Sequence, residues 1–198
     1  MSRVALLLTA VFCVGVLVVA SDCSQAHVRS MEENNAGVDY YQKKLYPQAI
    51  DHLNRAITMD NDNEQAHFNI AQVYIATEQW QDAARHLQRA IALNDTVGDY
   101  HYKLGFALYQ LGEYEQAETQ LVRAIELDPT LYKAYYRLGR VYEALDRAED
   151  ALRQYTESIN HNPRFIDAYR ELGTLYAELD FLPEAVQVFR SALEAVIE

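Results

Sequence analysis

The sequence predicts an all-α fold, an α-solenoid of five helix-turn-helix repeats that follows an apolar N-terminal segment. Two observations carry this prediction. Residues of one kind recur every 34 positions along most of the chain, and each 34-residue unit contains two amphipathic stretches of helical length. One such helix pair cannot bury its apolar stripe alone, so successive pairs are expected to stack on one another.

The unit at 98–131 shows the pattern most clearly. A first helix is predicted at about 99–111, and Gly112 follows it at a C-terminal position that favours the left-handed conformation of glycine. A second helix is predicted at about 115–127. It ends before Pro129, because proline cannot continue a helix.

The same positions recur in register along the chain, without insertion. An alanine of the second helix repeats at Ala49, Ala83, Ala117, Ala151 and Ala185. A small residue of the first helix repeats at Gly37, Ala71, Gly105, Gly139 and Gly173. Small residues in matching positions of both helices predict that the two helices of each unit approach closely there.

A helix-turn-helix repeat of 34 residues resembles the tetratricopeptide repeat family. The resemblance covers about residues 30–198. It implies a right-handed solenoid that binds proteins or peptides on a concave surface lined by the first helices. The predicted segments are a signal peptide or lipoprotein signal at 1–23, a linker at 24–29, and repeats at 30–63, 64–97, 98–131, 132–165 and 166–198.

Charge excludes some classes of partner. The chain has 17 basic and 29 acidic residues, a net charge of −12. A nucleic-acid surface needs a basic footprint, and an anionic membrane surface attracts basic segments, so neither is expected to bind the repeats. Membrane association is expected only through the N-terminal segment or a lipid on Cys23.

The N-terminal segment predicts export. Arg3 precedes the uncharged, largely apolar run 4–20, and Val18 and Ala20 suit the −3 and −1 positions of a cleavage site. The expected location is therefore periplasmic or outer-membrane-associated if the source is bacterial. An uncleaved, single N-terminal membrane anchor is the alternative, because the run is only slightly shorter than the ~20 residues of a membrane span.

Cys23 leaves two interpretations open. Cleavage near Ala20 removes Cys13 and leaves one cysteine in the mature chain. A cysteine just after an apolar run resembles a bacterial lipoprotein signal, although Asp22 directly before it departs from that pattern. The thiol is thus either lipidated or free in a short tail.

Catalytic and metal sites are not expected. The sequence has no glycine-rich phosphate loop, and its six histidines are scattered, with His67 and His101 at one repeat position and His52 and His86 at another. Because stacked helices lie ~10 Å apart, equivalent histidines are too distant to share a metal ion. We therefore expect a protein that is not an enzyme and needs no cofactor or metal.

The concave surface is the candidate binding site. The resemblance places on it one asparagine ladder, one aromatic ladder and a basic cluster. These residues are Asn35, Phe68, Asn69, Tyr102, Lys103, Phe106, Tyr109, Lys133, Tyr136, Arg137, Arg140 and Arg170. Aromatic residues and arginine are enriched at binding hot spots, and the cluster favours an acidic peptide. The alternative is that the aromatic residues pack between helices and the arginines form internal pairs, such as Arg140 with Glu143.

One known mode of binding in the family is not expected. There, lysine, asparagine and arginine side chains hold the C-terminal carboxylate of a partner. Only Lys133 and Arg137 match that pattern, while Phe68, Gln72 and Lys103 occupy its other three positions.

The last helix is predicted to be a contact surface. Val188 replaces polar residues of the earlier repeats, and Val196 and Ile197 replace their polar terminators. An exposed apolar end favours an interface, and a homodimer is the expected contact. A partner domain or a frayed end are the alternatives.

Together these patterns predict a non-catalytic interaction scaffold that binds a peptide or protein. By its architecture it resembles small exported proteins that help to assemble pili or envelope complexes. The alternatives are a structural adaptor, whose groove is filled by a neighbouring subunit, and an accessory subunit of a membrane-associated complex.

Overall fold

The structure is a computed structural model that describes residues 25–197, with side chains as far as Ala195. The regular structure in this range is entirely helical, as the sequence predicts. The range divides between Glu78 and Gln79 into two compact units.

The first unit contains α1 (25–42), α2 (Tyr46–Met59) and α3 (Glu64–Ala76). Its core is the buried set Ala49, Leu53, Ile70 and Val73. The first pair comes from α2 and the second from α3, so the core lies where the second helix of repeat one meets the first helix of repeat two.

Residues 25–29 of the predicted linker at 24–29 are helical and form the start of α1. Side-chain contacts hold this start against α2. His27 Nδ1 lies 2.6 Å from Asp60 Oδ2. The buried Ser30 hydroxyl donates to the Ala56 carbonyl at 2.9 Å and accepts from Asn63 Nδ2 at 2.8 Å.

The second unit continues the alternation of first and second helices. They are α4 (Trp80–Leu93), α5 (Gly98–Gln110), α6 (Tyr114–Leu127), α7 (Tyr132–Ala144), α8 (Ala148–His161), α9 (Ile166–Glu178) and α10 (Leu182–Ile197). Each helix packs against the next in the chain, and α5 also contacts α7. The first helices α5 and α7 are therefore neighbours on one side of this unit.

The alanine ladder is buried. Ala49, Ala83, Ala117 and Ala151 are 0% exposed and Ala185 is 4% exposed. The glycines of the first helices lie on the other side of the same helix–helix contact. A Cβ at Gly105 would lie 2.6 Å from Leu121 Cγ and 3.2 Å from the Ala117 carbonyl oxygen, so the helices α5 and α6 approach too closely for a larger residue.

The turn between the two helices has the same conformation in every repeat. The residues with a positive φ recur at intervals of 34, at Lys44, Glu78, Gly112, Asp146 and Asp180, with φ between 56° and 79°. Repeat three alone has the glycine that this left-handed conformation favours. Glu113 N then donates to the Leu108 carbonyl at 2.9 Å, which closes the end of α5.

Three predictions fall outside the described residues. These are the signal at 1–23, the lipid on Cys23 and the side chains of Val196 and Ile197. Within the described part of the chain, none of the helices is long and apolar enough to cross a membrane.

Candidate functional site

In the first unit, the asparagine ladder differs from the prediction by one residue. Asn69 Nδ2 donates to Asn34 Oδ1 at 2.9 Å, and Gln72 Nε2 donates to Asn69 Oδ1 at 3.3 Å. The Asn69 amide is thus already engaged on both its oxygen and its nitrogen. Asn35 is exposed instead, and with Asn34 it lines a cleft of about 340 Å³ beside the start of α3.

Phe68 follows on α3 and is half-buried. It belongs to the predicted aromatic ladder, whose other members lie in the second unit. Tyr102 and Tyr136 are each only 8% exposed there. Tyr136 packs edge-on against Phe165 at 5.1 Å and lies 5.9 Å from the Tyr155 ring. These two tyrosines are packing residues and offer little ring surface to a partner, which is the alternative that the sequence left open.

The predicted basic cluster separates into two groups in the second unit. The first group is paired with carboxylates. Arg140 Nε lies 3.5 Å from Glu143 and its Nη1 lies 3.6 Å from Glu171, while Arg170 lies 2.9 Å from both Asp167 and Glu171. Arg140 Nη2 also donates to the Tyr109 hydroxyl at 3.3 Å.

Glu143 belongs to this paired group and is half-buried. Burial raises the pKa of its carboxyl, and the hydrogen bond from the Tyr155 hydroxyl and the charge of Arg140 oppose that rise. Burial and the same hydrogen bond raise the pKa of the Tyr155 hydroxyl. The network therefore holds Arg140 in place, and its charge is compensated within the chain.

The second group contains the remaining cations of the predicted cluster. Among residues 25–195, Lys103, Lys133 and Arg137 have no carboxylate partner. The Arg137 guanidinium lies over the Phe106 ring, with Cζ 4.1 Å from the ring centroid. This is a cation–π contact that also fixes the plane of the guanidinium.

Helix geometry brings these cations onto one surface. Lys103 and Phe106 are three residues apart on α5, and Lys133 and Arg137 are four apart on α7, so each pair shares a helix face. The contact between Arg137 and Phe106 joins the two faces. We call the surface formed by Lys103, Phe106, Lys133 and Arg137 the cationic patch.

Trp80 extends the patch, and the sequence analysis did not place it there. Its ring meets Phe106 edge-on at 5.4 Å, although it belongs to a second helix, α4. A signal was present in the sequence, because Trp80 occupies the aromatic turn position of Tyr46 and Tyr114. The residue equivalent to Trp80 in repeat three, Tyr114, also packs against an aromatic residue of α5, since its ring lies 5.7 Å from that of Tyr109.

No metal centre accompanies this surface in the described residues, where no group of three or more His, Cys, Asp or Glu side chains is placed to hold an ion. The cationic patch combines positive charge with aromatic rings.

Family comparisons agree with the repeat pattern. The family described as tetratricopeptide repeat matches residues 133–197, the one described as TPR repeat matches 107–146, and the one described as anaphase-promoting complex, cyclosome, subunit 3 matches 42–124. A solved structure of MamA is 30% identical, with a TM-score of 0.77, over 80% of this chain and 93% of that one. The chain belongs to the tetratricopeptide repeat family.

Two further solved structures show the same solenoid fold at lower identity. YrrB, described as a TPR protein with an unusual peptide-binding site, is 22% identical over 82% of this chain and 84% of its own, with a TM-score of 0.71. PilF of Pseudomonas aeruginosa is 20% identical over 87% of this chain and 78% of its own, with a TM-score of 0.75. No curated protein matches the tetratricopeptide chain in sequence. Together the matches support a protein-interaction scaffold.

Proposed function

We propose that this tetratricopeptide protein is a non-catalytic scaffold that binds an acidic segment of a partner protein on the cationic patch. The observation that supports the proposal is the stack of Arg137 on Phe106 at 4.1 Å, beside two lysines without carboxylate partners among the described residues. In a chain with a net charge of −12, such a cluster stands out as an attractive site for carboxylates.

The chemistry of the patch defines the segment it fits. A planar guanidinium held against a ring presents its outer edge for a bidentate bond to a carboxylate. Phe106 and Trp80 supply apolar surface next to that charge, and aromatic residues with arginine are the usual hot spots of an interface. The expected ligand is therefore an acidic peptide that also carries an apolar or aromatic side chain.

The proposal includes a location and a role. The protein is exported, is held near a membrane by its N-terminal segment or by a lipid on Cys23, and helps to assemble a pilus or another envelope complex. The apolar run at 4–20 and the cysteine that follows it support the location, with a retained N-terminal anchor as the alternative. The role is carried over from the resemblance in architecture to small exported repeat proteins.

The test uses a fluorescent peptide with alternating glutamate and phenylalanine, and its counterpart with glutamine for glutamate. The wild-type protein should bind the glutamate peptide more tightly, and the difference should shrink as salt screens the charges. Arg137→Glu should weaken binding by about tenfold or more, which corresponds to about 1.4 kcal/mol.

Arg123→Glu is the matched control, because it makes the same charge change on α6, at a partly exposed arginine whose partner is Glu126 in its own helix. Equal affinity for the two peptides, or equal losses in the two variants, would overturn the proposal. Arg140 is left intact because reversing its charge would disrupt the network with Glu143 and Glu171.

A further inference from the structure

The last repeat contains a cleft of about 310 Å³ between α8 and α10. Its base is α9, which packs against both of these helices. Leu172 of α9 is 5% exposed and forms an apolar floor, and the half-buried Ile159 and Val188 form the two walls. Val188 is the residue that the sequence predicted as a contact of the last helix. The repeat-five cleft is defined by these three residues together with Tyr169, Tyr176 and Glu184.

Tyr169 is largely buried, yet its hydroxyl has no partner in the described chain. The residue is 8% exposed, and its hydroxyl makes no hydrogen bond within residues 25–195. Every completely buried side-chain oxygen or nitrogen in this range has a partner, so the Tyr169 oxygen keeps access to solvent. Burial raises the pKa of this hydroxyl, which therefore remains a proton donor. Because Tyr169 lines the cleft, a ligand bound there can accept a hydrogen bond from it.

The equivalent residues of the three repeats before it all have a partner. Each reaches the carbonyl oxygen six positions earlier, namely His67 with Asn61 at 3.3 Å, His101 with Asp95 at 3.2 Å and Tyr135 with Pro129 at 3.2 Å. His101 has a second partner in Gln120 of the following helix, at 2.9 Å. In repeat five the position of Gln120 is occupied by Val188. Tyr169 therefore has an apolar wall beside it where repeat three has a polar partner.

The other end of the cleft carries a negative charge. Glu184 is the one charged residue among those that line the cleft, and it forms no ion pair within residues 25–195. It lies in the first turn of α10, and Tyr176 lies in the last turn of α9, so both are at the end where these helices are joined. Tyr169 is seven residues before Tyr176, which places the two ends of the cleft about 10 Å apart at 1.5 Å per residue.

The two flanking helices each carry one arginine, and neither lines the cleft. Arg153 of α8 is paired with Asp150 of its own helix. Arg190 of α10 is exposed, and Glu194 follows it by one turn on the same face. Glu184 therefore remains the charge that a ligand in the cleft meets.

A ligand that fits both ends needs a hydrogen-bond acceptor, an apolar stem and a cation, in this order. An arginine residue has these groups in its carbonyl, its aliphatic stem and its guanidinium. The stem of arginine packs on apolar surface, and its guanidinium forms bidentate bonds to a carboxylate. An extended arginine residue is about as long as the separation of Tyr169 and Glu184 requires. A volume of about 310 Å³ is at the lower limit of ligand pockets, which suits one side chain.

We propose that the repeat-five cleft binds an arginine residue in an extended segment of a partner protein. The Tyr169 hydroxyl donates to the carbonyl of that arginine, the stem lies on Leu172 and Val188, and Glu184 pairs with the guanidinium. None of the residues of the cationic patch takes part. The scaffold therefore has a second site, which selects a basic segment.

Three small probes test the chemistry of the ligand. They are acetyl-Ala-Arg-Ala-amide, the same peptide with citrulline, which has the shape of arginine without its charge, and agmatine, which has the guanidinium and the stem without a peptide carbonyl. Binding is followed by NMR, because the amides that shift also locate the site. The arginine peptide should shift amides of α8, α9 and α10, and the other two probes should bind at least about tenfold more weakly.

Tyr169→Phe removes only the hydroxyl without a partner. The variant should keep the unfolding midpoint of the wild-type protein and bind the arginine peptide about fivefold more weakly, the effect of one hydrogen bond. Tyr135→Phe is the matched control, because it removes the same atom from the equivalent residue of repeat four, outside the cleft. It should leave binding unchanged.

Glu184→Gln keeps the size of the side chain and removes its charge. This variant should bind the arginine and citrulline peptides equally, while Glu115→Gln, the same change in the first turn of α6, should keep the difference between them. Val188→Gln restores the residue type of Gln120. It should weaken binding of the arginine peptide because the new amide pairs with Tyr169.

Equal affinity of the wild-type protein for the arginine and citrulline peptides, or amide shifts confined to other helices, would overturn the proposal. Wild-type affinity in both Tyr169→Phe and Glu184→Gln would do the same. If agmatine binds as tightly as the arginine peptide, the cleft takes a small free cation and the assignment to a protein segment is wrong.

Discussion

At the scale of single residues, the closeness of the helix pairs rests on small side chains. Gly105 and Ala117 let α5 approach α6 so closely that a Cβ on Gly105 would meet Leu121 at 2.6 Å. In repeat four the same role falls to Gly139, where a Cβ would lie 2.5 Å from the Tyr155 ring. The two helices therefore approach each other closely in both repeats, although the large residue opposite the glycine is Leu121 in repeat three and Tyr155 in repeat four.

Ala117→Leu should destabilise the protein, because Ala117 is 0% exposed and its position leaves no room for three more carbon atoms. We expect a loss of ~1–3 kcal/mol from overpacking, measured by chemical unfolding. Ala144→Leu is the control, since it makes the same change at an exposed position of α7 and should cost little. An unchanged unfolding curve for Ala117→Leu would show that the helix register is wrong.

The sequence predicted such ladder positions well because small and apolar residues recur at fixed intervals. It predicted the binding surface less well, because that depends on partners from neighbouring repeats. The basic cluster was visible, but nothing in the spacing indicated that Glu171 of repeat five would pair with Arg140 of repeat four. The burial of Tyr102 and Tyr136 was likewise decided by tertiary packing.

At the scale of elements, the turns repeat as faithfully as the helices. Lys44, Glu78, Asp146 and Asp180 all adopt a left-handed conformation that is unfavourable for residues with a Cβ. All four lie at the same position between two helices. Because the flanking helices fix both ends of the turn, the turn forms without glycine. The start of α1 was harder to predict, because the five residues 25–29 are too few to show a helical apolar pattern and are held by contacts such as His27 with Asp60 at the end of α2.

Gly112→Ala should lower the stability of the second unit. The φ of Gly112 is 79° and no atom lies within 4 Å of an added Cβ, so the cost is backbone strain alone. We expect ~1–2 kcal/mol by chemical unfolding. The reverse change at the equivalent position, Asp146→Gly, should raise stability. If the two substitutions shift the unfolding midpoint in the same direction, strain in the turn does not control it.

At the scale of the whole molecule, charge and apolar surface are distributed unevenly. The chain is acidic, with a net charge of −12, yet its cations without carboxylate partners among the described residues include the three of the cationic patch. The exposed apolar side chains of the described residues include four on one helix, namely Leu182, Val186, Phe189 and Leu193 of α10. The cationic patch and the apolar face of α10 therefore differ in the chemistry that they present to a partner.

The N-terminal segment can be tested against the described helices. Since α1 begins at residue 25, removal of residues 1–20 or 1–22 leaves every described helix intact. We therefore expect a chain that begins at Ser24 to have the helicity and unfolding midpoint of the mature protein. Mass spectrometry of the exported protein should find either a free Ser21 or an acylated Cys23 at its N-terminus. Retention of Met1 would contradict cleavage and favour the single membrane anchor.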